Sequence, residues 1–180
     1  MRQQTICFAL SCLLLFSCDS NSLDTLIEDQ LEDQIEDIEV DRTMANQATQ
    51  LTNLARSVRQ QCGDRSFNAV GALTWNDQLA EAALAHSQDM ATKNYFDHTS
   101  LNGENPGVRI NRTGYVASTW GENIAAGYGT VEQAIQGWID SPGHCANIMN
   151  GSFTEFAVAS AKSNGSTYGT YWTMVLAAPR

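Results

Sequence analysis

Trp120-Gly121-Glu122-Asn123-Ile124-Ala125-Ala126-Gly127 and, a little further on, Ser141-Pro142-Gly143-His144-Cys145-Ala146-Asn147-Ile148-Met149 form the stretch from which this chain is best read. The first half sets one carboxylate, Glu122, in an apolar run bounded by glycines. The second places His144 and Cys145 just past Pro142-Gly143, a pair that ends a helix. A second histidine, His98, lies upstream among the turn formers Asp97, Asn102, Gly103, Asn105, Pro106 and Gly107. Histidines in irregular, partly exposed segments are candidates for chemistry. Glu122, His98 and His144 are therefore expected to line one cleft.

Between the two halves, Thr130 to Ile139 reads as a helix, with Thr130 as N-cap, Glu132 in the first turn and Ile135, Trp138 and Ile139 buried. The pattern of Trp120 to Ala126 fits strand or helix. Beyond Met149, Glu155 to Lys162 reads as a strand with Phe156 and Val158 on one side. Asn164-Gly165 is a hairpin signal, and Tyr168 to Leu176 is the return strand. Upstream, Met44 to Gln61 has Met44, Ala48, Leu51, Leu54, Ala55 and Val58 at helical spacing, and Cys62-Gly63 reads as its C-cap. A second helix, capped by Asn76 or Thr74, runs to about Asn94 with Leu79, Ala83, His86 and Met90 on one face. A lone histidine on such a stripe, here His86, is ordinarily a core residue bonded to backbone; a place near the cleft is the alternative. A short helix is expected over Val108 to Thr113. Helices first and a hairpin last make an α+β order rather than alternating βαβ units.

The N-terminus is of another kind. Arg2 and the apolar run Ile6 to Phe16 read as a signal peptide, too short to span a bilayer. It closes on Leu15-Phe16-Ser17-Cys18, which resembles a bacterial lipobox, with Phe16 the atypical position. Cys18 is thus a lipidation candidate, and a membrane is the partner it implies; a plain cleaved signal and secretion is the alternative. Residues 19 to 41 carry ten acids and no base. The rest of the chain past Asp41 holds ten acids against nine bases, a net charge of about −1 of the total −10. Residues 19–42 therefore read as an acidic, self-repelling linker, or as a helix with a narrow apolar stripe (Leu23, Leu26, Ile27, Leu31, Ile35, Ile38). The globular domain is 43–180. It has no basic patch, so nucleic acid is not an expected partner.

Cys7 and Cys12 leave with the signal peptide. If Cys18 is lipidated, Cys62 and Cys145 remain as an even pair in an oxidising compartment, bridged or as two buried thiols. The chain has no Gly-x-Ser-x-Gly elbow, no His-Glu-x-x-His helix and no Gly-rich phosphate loop. Two loop histidines and a carboxylate permit three readings: a divalent metal site, a general base oriented by a carboxylate, or loops tied together by hydrogen bonds.

The chain resembles the CAP superfamily of cysteine-rich secretory proteins, antigen 5 and pathogenesis-related proteins. Residues carrying the resemblance are Leu73-x-Trp75-Asn76, His86-Ser87-x-Asp89-Met90, Phe96-x-His98-Thr99, Arg109, Gly114-Tyr115, Gly121 to Gly127, Trp138-x-x-Ser141-Pro142-Gly143-His144, Asn147-Ile148 and Tyr171-Trp172-Thr173. They span about residues 46 to 178. The resemblance implies a three-layer α–β–α sandwich with a central antiparallel sheet, and a cleft with a His, Glu, Glu, His tetrad. His98, Glu122 and His144 match three tetrad positions; Ser141 stands where the second glutamate would be. Ser141 and Asn123 are expected to line the cleft beside them. The resemblance also implies Zn2+ or Mg2+ on His98 and His144, and a lipid, glycan or protein ligand in an exported protein of the cell envelope. A hydrolase using His98 or His144 with Glu122 is the alternative function.

Overall fold

The computed structural model describes residues 20–180; Cys18 and the signal-peptide reading lie outside the described residues. The chain divides into two compact units, one up to Glu39 and one of Val40–Arg180. A helix, α1 (Ser20–Arg56), begins in the first unit and ends in the second. Leu31 and Ile35 of the acidic stretch are exposed. No helix among the described residues is long and apolar enough to cross a membrane.

The second unit is a three-layer sandwich. Its sheet has the order β3-β5-β6-β4, with β3 (Thr74–Trp75), β4 (Ala117–Ala126), β5 (Glu155–Lys162) and β6 (Thr170–Pro179). Strands β4, β6 and β5 are antiparallel, as expected, but two-residue β3 joins β5 in parallel. A separate hairpin pairs β1 (Gln60–Cys62) with β2 (Arg65–Phe67). One sheet face packs on α4 (Val131–Asp140), α5 (Pro142–Ile148) and the end of α1, through Ala48, Ile135, Trp138, Phe156, Val158 and Met174. The other packs on α2 (Asp77–Lys93) and α3 (Pro106–Arg112), through Leu79, Ala83, Ile110, Ala157 and Val175. The alternation along β5 is the cause: Phe156 and Val158 face one layer, Ala157 and Ala159 the other.

The helix boundaries follow local chemistry. Asn76 caps α2 by accepting from the Gln78 and Leu79 N–H groups, and the helix stops at Asn94, whose φ of 53° is left-handed. Thr130 caps α4. Pro142 does more than end α4: it opens α5 as its first residue, so this helix starts four residues earlier than the Ala146 the sequence pointed to. The predicted C-cap at Cys62-Gly63 is not formed. Helix α1 stops at Arg56, and Cys62 lies in β1, where Gly63 at φ 61° turns the hairpin. The predicted face of that helix is also rotated. Leu54 and Val58 are 65% and 50% exposed, whereas Thr52 and Arg56 are buried with Ala48 and Ala55. Arg56 is drawn in because its guanidinium donates to the carbonyls of Gly71, Ile148, Asn150 and Phe153. The last hairpin closes by a wider loop than Asn164-Gly165 indicates: Ser163 N–H donates to Gly169 C=O across it, and Gly169, at φ 74°, supplies the left-handed residue.

Cys62 and Cys145 are bridged, with Cα atoms 5.5 Å apart and a sequence separation of 83. The bond fastens the β1–β2 hairpin to α5. Chain-entropy reasoning puts its contribution at up to about 4–5 kcal/mol. Urea denaturation with and without reductant should show the midpoint falling on reduction, and the Cys62→Ala/Cys145→Ala double variant should match the reduced protein. An unchanged midpoint would remove the bridge from the list of stabilising elements.

Candidate functional site

Strand β4 carries the site because its side chains alternate between the two helical layers. Glu122 points toward α2 and α3; Asn123, the next residue, points toward α5. The Glu122 side chain is 2% exposed, so its charge has left water and must be answered by protein groups. Three are at hand. The Arg109 guanidinium donates to Oε2 at 2.8 Å, the His98 Nδ1 lies 2.8 Å from Oε1, and the His86 Nε2 is 3.8 Å from the same oxygen.

Arg109 is itself buried and bridges the region. It also donates to the backbone carbonyls of His98 and Glu104 and to the Ser100 hydroxyl. Helix α3 exists where it does through the Asn105 cap and Pro106 at its start, and this delivers Arg109 to Glu122. Gly107 is required by close approach: a Cβ there would meet the Trp120 indole at 2.9 Å. Trp120 therefore lies over α3, two residues before Glu122 on the same side of the strand.

His86 is buried and its Nε2 donates to the Asp97 carbonyl at 3.0 Å, the backbone-bonded core histidine that its helical stripe indicates. It is also beside Glu122, so both readings of this residue describe one position. Burial pushes its pKa down, against the pull of Glu122. His98 behaves oppositely. Half of its side chain is exposed, and the hydrogen bond to Glu122 pushes its pKa up, with burial opposing. Because Nδ1 faces Glu122, Nε2 is the nitrogen left for the cleft. His144 is partly buried, and burial followed by the charge of His98 pushes its pKa down.

The cleft's other wall comes from α5. The Asn123 side chain donates to the His144 carbonyl at 3.1 Å, and Asn147 donates to the Asn123 side chain at 2.9 Å and to the Glu122 carbonyl at 3.3 Å. Ser141 is the residue between α4 and α5, partly exposed, and makes no side-chain cap bond. His98, Glu122, Asn123 and His144 are thus drawn together around the edge strand β4. Sequence reasoning did not place Arg109, Asn147 or Ser100 in the site. The signal for Arg109 was a base between the apolar Val108 and Ile110 in a seven-residue helix, a position where only a paired charge is tolerated.

The residues do not make a preformed metal centre. Glu122 is turned inward and engaged on both oxygens, and Ser141 supplies no carboxylate. Among the described residues, no group of three or more His, Cys, Asp or Glu is placed to hold a metal ion. Two imidazoles, His98 and His144, are what the cleft offers a cation.

A family model described as CAP, the cysteine-rich secretory protein family, matches residues 49–176. The protein YkwD of Bacillus subtilis, itself uncharacterized, is 37% identical over 110 residues, 61% of this chain and 41% of that protein. An extracellular protein containing an SCP domain from Bacillus anthracis has a crystal structure that superposes with a TM-score of 0.62 at 31% identity, covering 77% of this chain and 41% of that one. An outer surface protein of Borrelia burgdorferi shares the fold at a TM-score of 0.55 and 18% identity, over 62% of this chain and 80% of that one. The chain spans less than half the length of the curated relatives it matches.

Two outcomes check the site. The stabilisation tied to His98 is complete below about pH 6.5 and is lost as pH rises through its raised folded pKa. An NMR titration should find His98 above the ordinary histidine value, and Glu122→Gln should bring it down; an unmoved His98 would show that the carboxylate does not set it. Arg109→Met leaves Glu122 buried without its main counter-ion and should cost about 3–5 kcal/mol in chemical denaturation.

Proposed function

The chain belongs to the cysteine-rich secretory protein (CAP) family, and from that membership we propose that it is an exported binding domain, one that holds a lipid, glycan or protein partner in or beside the cleft of His98, Glu122 and His144. The observation that carries this reading is the condition of Glu122. Its two oxygens are held by His98 and Arg109, and the side chain is sealed from solvent. Such a carboxylate is a structural anchor for the cleft wall rather than a group free to shuttle protons or bind substrate. No hydroxyl or thiol nucleophile is hydrogen-bonded to the His98 or His144 ring among the described residues; the nearby Ser100 hydroxyl is occupied by Arg109.

Export is supported by the signal-peptide pattern of residues 1–18, and a lipid anchor in the cell envelope by Cys18 at its end. The Bacillus anthracis relative is described as extracellular. On this reading the acidic residues 19–42 stand between the anchor and the domain. A divalent cation such as zinc would find two imidazoles and water in the cleft, an open and weak site, since structural zinc takes four protein ligands and catalytic zinc three. It would also compete with a proton for His98, whose pKa is raised.

One observation favours the hydrolase alternative. A carboxylate on Nδ1 orients the His98 ring and leaves Nε2 toward the cleft, the arrangement of a general base acting on water.

Cosedimentation of the mature protein with purified cell-wall sacculi and with phospholipid vesicles, alongside chromatography of any soluble fragments, separates the two. Retention on one of these should be saturable and fall about tenfold in His144→Ala, with no fragment released. Fragment release that vanishes in a folded Glu122→Gln variant would overturn the binding reading. Zinc titration of the same variants should give weak affinity, lost on removing either imidazole and falling as pH is lowered.

A further inference from the structure

Away from the His98 cleft, the opposite edge of the sheet opens into a groove of about 910 Å3. Its floor is β5, and the reason lies in the pairing. Thr74 N–H donates to Thr154 C=O, and Asn76 N–H donates to Phe156 C=O, so the even-numbered residues of β5 turn their backbone groups toward β3. The odd-numbered residues turn theirs toward β6. But β3 ends at Trp75. The backbone N–H and C=O groups of Ser160 and Lys162 therefore face outward with no strand to receive them, and no other partner among the described residues, whereas Val158 before them is fully buried. All three residues line the groove.

The groove has walls as well as a floor. Helix α2 supplies Asp77 and Glu81 on one side, four residues apart and so on one face of the helix. The other side is the stretch of α1 from Met44 to Thr49 with the start of α4, where Glu132 adds a third carboxylate. Lys162 closes the far end, and Arg42 is the other base lining the groove. The walls keep a second sheet from docking edge to edge, which is how a free edge is ordinarily protected. A single extended chain meets no such barrier. Strand addition uses the free ladder for affinity and alternate side chains for selection. From Ser160 to Lys162 the free ladder is three residues long, about 10 Å at about 3.3 Å per residue.

We propose that this groove binds an extended peptide as an added strand on β5, with basic side chains at alternate positions set against the α2 wall of Asp77 and Glu81. The recognised chemistry is a polypeptide backbone with Lys or Arg at every second position and small or apolar residues between, the latter directed to the α1 and α4 side where Trp172 and Val158 lie. This site is separate from the His98 cleft and stands whether or not that cleft binds a ligand.

The test uses the mature protein and the peptide acetyl-Lys-Val-Lys-Val-Lys-amide, read by calorimetry and by amide NMR shifts. Saturable binding is expected, with the largest amide shifts at Ser160 and Lys162. Methylating the backbone nitrogens on one edge of the peptide, and then on the other, should cost at least tenfold for the edge that faces β5. The glutamate counterpart, acetyl-Glu-Val-Glu-Val-Glu-amide, should bind at least tenfold more weakly, and Glu81→Gln should narrow that gap. Ser160→Pro removes one outward N–H without touching the pairing to β6, and should weaken binding while leaving the melting temperature nearly unchanged. Peptide binding should persist in His98→Ala, which separates this site from the cleft. The proposal is overturned by absence of binding at millimolar peptide, by indifference to methylation of both edges, or by shifts at these amides on adding palmitate but not peptide. The last outcome would make the groove a lipid site.

Discussion

A carboxylate buried in the middle of an edge strand governs this half of the molecule. Taking Glu122 out of water is costly unless its charge is answered within hydrogen-bond reach. The answer comes from two separate places, the loop after α2 through His98 and α3 through Arg109, while His86 of α2 packs 3.8 Å from the same carboxylate and gives its Nε2 proton to the Asp97 carbonyl. Arg109 in turn fixes the backbone at His98 and Glu104. The irregular segment between α2 and α3 is anchored at its start by Tyr95 and Phe96, and further along by the bonds of Arg109 and Glu122 to His98, Ser100 and Glu104. The cap at Asn105, the proline at the start of α3 and the bare Gly107 under Trp120 all serve to bring one guanidinium to one carboxylate.

The alternation of β4 lets a single strand manage two chemically different walls. Glu122 organises the charged side, and Asn123 organises the neutral side by bonding the His144 carbonyl and the Asn147 amide. The two histidines consequently differ. His98 sits against a carboxylate and holds its proton more tightly than usual; His144 has no carboxylate and holds its proton less tightly. Ser141, between α4 and α5, brings no charge of its own.

Much of this arrangement could be read from sequence where local physics and tertiary packing agree. Helix α2 has a cap at Asn76 and a stripe of buried small residues, and α4 and β5 are equally well marked; each forms where expected. The three cleft residues were legible as chemistry-bearing groups in turn-rich or glycine-bounded segments. Legibility failed where a distant partner overrides the local pattern. Leu54 and Val58 fit the apolar spacing of α1, yet Arg56 takes the buried place because four carbonyls, three of them more than ninety residues away, converge on it. The β1–β2 hairpin was hidden because its three-residue strands alternate no apolar residues. Arg109 was hidden because a single base in a short helix does not announce that a carboxylate thirteen positions later will need it.

The clasp at Arg56 also says something about time. Its guanidinium reaches Gly71 at a separation of 15 residues, but Ile148, Asn150 and Phe153 lie 92, 94 and 97 residues further along the chain. A nascent chain is delivered from the N-terminus, so the Arg56 guanidinium stays hydrated until the carbonyls of Ile148, Asn150 and Phe153 have been made. Contacts of such long range are slow to form. The end of α1 is therefore clasped in place only once the segment that follows α5 exists to receive it.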